Sequence, residues 1–120
     1  MNNLNVFILE DAPERISWFQ NTFSDCNIII THNVEEACNL LRGNNFDLIF
    51  LDRDLGDLKF SGEDVAWCMK NENLQNNACI VIHTVNTRGQ RVMPRYLQNF
   101  SNVNVIPFPQ LMNLKREDFK

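Results

Sequence analysis

Asp47-Leu48-Ile49-Phe50-Leu51-Asp52-Arg53-Asp54-Leu55-Gly56 is the stretch that decides the fold. An uninterrupted apolar run closes on an acid, then on a short polar loop with a glycine. A run this short with no polar alternation reads as a strand buried on both faces. The same plan recurs upstream, where Asn5–Leu9 (Asn-Val-Phe-Ile-Leu) ends in Glu10-Asp11. It recurs downstream as well: Cys79–Ile82 runs into His83-Thr84, and Val103–Ile106 runs into Pro107. Ile28–Thr31 supplies the remaining strand.

Helical signals fill the intervals. Pro13 and Glu14 after Asp11 mark a helix start, followed by a stripe at Ile16, Phe19, Gln20 and Phe23. Asn33-Val34-Glu35-Glu36 has capping-box spacing and opens a helix through Ala37, Leu40 and Leu41 to Gly43. Glu63–Lys70 forms a third helix, Met93–Phe100 a fourth behind a loop through Gly89, and Leu111–Phe119 a short last one. Strands alternating with helices imply parallel strands joined by right-handed crossovers. Five such units in 120 residues predict one domain over residues 1–120. The expected architecture is a flavodoxin-like, doubly wound α/β sheet of strand order 2-1-3-4-5. Ligands of such sheets lie at the carboxyl ends of the strands, near the switch point.

Composition narrows the function classes. Eleven basic against 15 acidic side chains give a formal charge of −4, so nucleic acid is a poor partner for the domain. No apolar run approaches the roughly 20 residues of a membrane span, and Met1–Val6 lacks a signal-peptide pattern. Cys26, Cys38, Cys68 and Cys79 show neither Cys-x-x-Cys nor zinc spacing. They read as reduced structural thiols of a cytoplasmic protein. Trp18 and Trp67 read as packing residues, and His32 as structural.

Three polar segments should converge at the strand ends: Glu10-Asp11, Asp52-Arg53-Asp54 and His83-Thr84. Crowded carboxylates repel unless a cation lies between them. Oxygen donors select Mg²⁺, which keeps several waters and shares a phosphate. The expected metal ligands are Glu10, Asp11, Asp52 and Asp54, the last of which would otherwise pair with Arg53. Helix capping and solubility are the plainer explanation for each acid taken singly.

These residues resemble the receiver domains of response regulators. The shared pattern is an acidic pair after strand 1, an Asp after strand 3, Gly62 about ten residues on, and Thr84 after strand 4. The resemblance implies Mg²⁺ on Glu10 and Asp11, a phosphoryl group on Asp52, and Thr84 holding it. One departure is chemical: receivers carry a Lys-Pro at the end of strand 5, and here Ile106-Pro107-Phe108-Pro109 puts Phe108 in the place of that Lys. The chain resembles more closely a receiver-like branch, the cyclic-phosphate-processing receiver domains. Their Leu-Asp-His-Asp-Leu-Gly and His-Ser-x-Asn-x-x-Gly motifs match Leu51-Asp52-Arg53-Asp54-Leu55-Gly56 and His83-Thr84-Val85-Asn86-Thr87-Arg88-Gly89. Arg53 replaces the common His and Thr84 the Ser, while Met93 and Leu97 also fit.

That resemblance implies a small phosphorylated ligand, such as a cyclic nucleotide. Opening a cyclic phosphodiester requires charge neutralisation, a placed water and a proton for the leaving oxygen. Asp52, His83 and Asn86 are the expected catalytic residues, with His83 the acid or base. Thr84, Arg53 and Arg88 are the expected phosphate contacts, the arginines by bidentate clamping. The alternatives are a stand-alone receiver phosphorylated on Asp52 and a non-catalytic module that binds a protein partner.

Overall fold

Each strand is four or five residues long, and the middle ones are apolar apart from Asn5 because helices cover both faces. The computed structural model describes residues 3–119, so Met1, Asn2 and Lys120 of the expected 1–120 domain, and the first two residues of the Met1–Val6 pattern, lie outside it. The elements run β1 (Asn5–Leu9), α1 (Pro13–Thr22), β2 (Asn27–Thr31), α2 (Val34–Gly43), β3 (Leu48–Leu51) and α3 (Gly62–Glu72). There follow β4 (Cys79–Ile82), α4 (Thr87–Tyr96), β5 (Asn102–Val105), α5 (Phe108–Leu111) and a 3₁₀ turn (Arg116–Asp118). All five strands are parallel, in the expected order β2-β1-β3-β4-β5.

The two-residue period of the strands sorts their side chains into two cores. Phe7, Leu9, Ile49, Leu51, Ile80 and Ile82 face the layer made by α2, α3 and α4, where Leu41, Val65, Met69 and Met93 meet them. Val6, Ile8, Leu48, Phe50 and Val81 face the other way, against Phe19 and Phe23 of α1 and Phe108 and Leu111 of α5. Phe119 closes that second core, edge-on to both Phe23 and Phe50.

Three helices differ from expectation. α4 begins at Thr87 rather than Met93, because the Asn86 side chain caps it by accepting from the Gly89 N–H at 3.0 Å. Gly89 therefore belongs to the helix and not to a loop. A Cβ there would crowd Thr84 and the stem of Arg53, so the glycine allows the first turn of α4 to lie against the end of β3. The last helix shortens to Phe108–Leu111 and starts earlier, with Pro107 and Pro109 at its first turn, and a separate 3₁₀ turn follows. α3 is longer by a residue or two at each end, and Ser61 and Asp64 form its capping box.

Trp18 packs edge-on against Phe19, Phe23 and Phe108, whereas Trp67 is half exposed and does not fill a core. The four cysteines are free thiols. Among the described residues no helix is long and apolar enough to cross a membrane.

Candidate functional site

The ladder continues one residue past each strand and thereby places the site. The Glu10 N–H donates to the Thr31 carbonyl, the Asp52 N–H to Leu9, the His83 N–H to Leu51 and the Phe108 N–H to His83. Glu10, Asp52 and His83 thus stand side by side at the tips of β1, β3 and β4, at the switch point. All three are buried, and their candidate ligand atoms lie within 4.8 Å of one another.

Glu10 is the most constrained member. Its Oε1 lies 2.8 Å from His83 Nε2, and neither side chain has any exposed surface. Its Oε2 accepts from the N–H groups of Asp11 and Ala12, both at 3.1 Å. Burial pushes this carboxyl up, but the His83 bond and charge outweigh it. With the Ala12 N–H and Arg15 adding to them, Glu10 lies below the usual range. An ionised Glu10 accepts from the His83 Nε2–H. His83 Nδ1 is left buried without a partner among the described residues, ringed by Phe19, Phe50 and Phe108.

Asp52 responds in the opposite direction. Burial is the main cause of its raised pKa, and the Glu10 charge adds to it. The His83 charge, the Thr84 hydroxyl and the Arg53 N–H oppose without prevailing. Its Oδ1 accepts from that N–H at 2.8 Å. Burial thus costs the ionised form of Asp52 more than its neighbours return. Two buried carboxylates with little solvent suit a hard divalent ion such as Mg²⁺, with the imidazole bonded to Glu10 as an orienting partner.

The other expected residues take different places. Asp11 and Asp54 lie outside the buried trio. The Asp11 carboxylate leans over Gly56, whose φ of +71° turns the loop beneath it, and His32 is exposed in the same shallow cleft. Asp54 is exposed, pairs with Arg53 Nη1 at 2.7 Å and accepts from Asn86 Nδ2 at 3.2 Å. Arg53 Nε lies 2.5 Å from Glu63, and Arg88 grips the same carboxylate with two bonds of 2.9 and 3.0 Å. Both arginines expected on the phosphate are therefore engaged in a loop brace, which draws Glu63 below the usual carboxylate range. The Thr84 hydroxyl accepts from the Asn86 N–H at 3.1 Å and lies beside Asp52.

Sequence reading overlooked Arg15. From the first turns of α1 its Nη1 sits 3.8 Å from Glu10 Oε1 and 3.8 Å from Asp52 Oδ2. Its guanidinium carbon lies 4.9 Å above the centre of the Phe108 ring. Glu10 lies just upstream of Arg15, but Asp52 belongs to the distant β3 tip. The clue lay in its place on the first turn of α1, directly after the acids that end β1.

A parallel five-stranded sheet with acids at its switch point defines a receiver domain, and the comparisons agree. The profile of the family described as Cyclic-phosphate processing Receiver domain matches residues 7–99, and the chain belongs to that family. No curated protein sequence matches it. Among solved structures, it is similar to the phosphorylated cyanobacterial phytochrome response regulator RcpA, at 18% identity over 93% of this chain and 88% of that one, with a TM-score of 0.74. The receiver domain of the sensor histidine kinase PA1611 from Pseudomonas aeruginosa, solved with magnesium in its active-site cleft, matches at 14% identity, 98% and 91% coverage and a TM-score of 0.71. The response regulator TrrA of Thermotoga maritima, bound to Mg²⁺ and BeF, matches at 19% identity, 86% and 85% coverage and 0.66. Identities this low speak for the fold alone.

Proposed function

We propose that this domain binds a cyclic phosphodiester with Mg²⁺ at the tips of β1, β3 and β4 and hydrolyses it to the phosphomonoester. The observation that carries the reading is the buried Glu10–Asp52–His83 trio, in a chain of a family described by cyclic-phosphate processing. Glu10 and Asp52 would hold the ion, with Asp11 and Asp54 at the rim reaching it through water, and the bound ion would offset phosphate charge and acidify a coordinated water.

The chain's own residues supply the rest. The Thr84 hydroxyl, beside Asp52, donates to a phosphate oxygen. His83 holds Glu10 in one orientation through its Nε2 contact with Oε1. Asn86 caps α4 and steadies Asp54, so its part is to fix the loop that carries Thr84. Arg53 and Arg88 brace that loop through Glu63. Water attacks phosphorus through its oxygen, one ring P–O ester bond breaks, and the proton the water gives up ends on the leaving oxygen. The ligand is small, cytoplasmic and not a nucleic acid.

A second reading, phosphorylation of Asp52 as in a signalling receiver that acts on a protein partner, is favoured by the Thr84 hydroxyl beside that carboxylate. Phe108 in place of a lysine weighs against it. One experiment separates the two. Purified chain with Mg²⁺ is incubated with 3′,5′- and 2′,3′-cyclic nucleotides, and in parallel with acetyl phosphate. Hydrolysis predicts phosphomonoester from at least one cyclic substrate, with turnover lowered at least about a hundredfold in Asp52→Asn. Mass gain on Asp52 with no turnover favours signalling. Turnover identical in wild type and Asp52→Asn overturns the hydrolase reading.

A further inference from the structure

We propose that Arg15 is the residue that grips the phosphate, taking over from α1 the positive charge that Phe108 leaves absent at the end of β5. The assignment rests on the site being a phosphodiester site and names the group that recognises the anion there.

The arginines nearest in sequence to the motifs are not free to do it. Arg53 is held by Glu63 and Asp54, and Arg88 by both oxygens of Glu63. Arg15 differs from both. Its side chain is only 22% exposed, yet among the described residues its guanidinium donates no hydrogen bond. Both carboxylate contacts are 3.8 Å, beyond hydrogen-bonding range but close enough for the charges to be felt. A guanidinium beside two carboxylates, with its hydrogen bonds unmade, can take an anionic oxygen as its partner.

Phe108 holds it in that posture. The ring lies under the guanidinium carbon at 4.9 Å, a cation–π distance, and is itself wedged against Trp18 and Phe19. The residue that displaces an ammonium thus provides the platform for a planar fork. The exchange changes selectivity as well as position. An ammonium is a compact point charge, whereas a guanidinium presents parallel N–H donors to two oxygens at once. A phosphodiester has two terminal oxygens on phosphorus, a geometry that such a fork matches. The ligand class is therefore a phosphodiester monoanion that reaches Asp52 and Arg15 together.

The test uses the full chain, ¹⁵N-labelled, with Mg²⁺ and two probes, dimethyl phosphate and 2′,3′-cyclic AMP, read on the arginine Nε–H resonances. Arg15 Nε–H should shift on titration while those of Arg53 and Arg88 stay in place. Arg15→Gln should weaken both probes at least about tenfold, and Arg15→Lys should weaken them less, since it keeps the charge but not the fork. The wild-type spectra need no variant, so a poorly folded Arg15→Gln leaves the assignment open to refutation. If the probes bind and the Arg53 or Arg88 signals move instead, or if Arg15→Gln binds within twofold of wild type, the Arg15 assignment falls and the site reading stands. If neither probe perturbs the wild-type chain, the site reading falls and Arg15 with it.

Discussion

Glu63 illustrates how a side chain can serve the site without entering it. It is mostly buried and bonded by Arg88 and Arg53, and it draws both away from the carboxylates at the strand tips. Arg88 is the main cause of its lowered pKa, burial opposes, and Arg53 adds. Because the folded chain binds this proton less readily than the unfolded chain, the stabilisation is fully present above the ordinary value near 4.5 and is lost as pH falls through the lowered one. Urea unfolding of Glu63→Gln should therefore give a deficit of about 1 kcal/mol at pH 7 that shrinks below pH ~4.5. A deficit that grows as the pH falls would contradict this pairing. At this scale the sequence exposed Glu10, Asp52, His83 and Thr84, because each ends a buried run. It hid the true partners of Arg53 and Arg88, since Glu63 lies 10 and 25 positions away. The same blindness to long-range pairs hid the approach of Arg15 to Asp52.

Among the elements, strands were the most legible, because an apolar run bounded by polar residues has few other interpretations. Helix starts were legible where a side chain caps the first turn within view, as at Asn33, whose oxygen accepts from the Glu36 N–H at 2.8 Å. They were missed where a glycine disguised them. Gly89 looks like loop chemistry, yet its reason is steric and comes from β3 and β4. Gly62, at the start of α3, obeys the same logic more strictly: a Cβ there would collide with the backbone carbonyl of Asp52. Its N–H also donates to the Arg53 carbonyl at 2.7 Å. Gly62→Ala should cost more than about 3 kcal/mol in thermal or chemical unfolding, whereas Gly43→Ala, with open space around it, should be close to neutral. Equal effects at the two positions would mean that α3 and the end of β3 part easily.

For the whole molecule, the balance of −4 conceals the local problem of two buried carboxylates facing each other. Removing one charge should therefore stabilise the fold: Asp52→Asn should gain about 1 kcal/mol without metal, the scale of a single stabilising substitution. Mg²⁺ at a hundredfold excess over its dissociation constant should add about 2.7 kcal/mol to the wild type. That is about 10 °C in melting temperature, at ~4 °C per kcal/mol for a domain of this size. Asp52→Asn should lose that response. A wild-type melting temperature indifferent to Mg²⁺ would show that Arg15 alone satisfies the acids. The topology itself was fully legible, because alternation, crossover handedness and the position of the acids all agree on one sheet.

Arg15 is carried on α1, so under the proposed reading an anion at Asp52 would engage that helix rather than the β5 edge. Three residues further along α1, Trp18 stands edge-on to Phe108, the ring on which Arg15 lies, with centroids 5.6 Å apart. An indole in that position shares its surroundings with the guanidinium. Under the proposed anion binding at Arg15, the emission of Trp18 should change as the anion is titrated in.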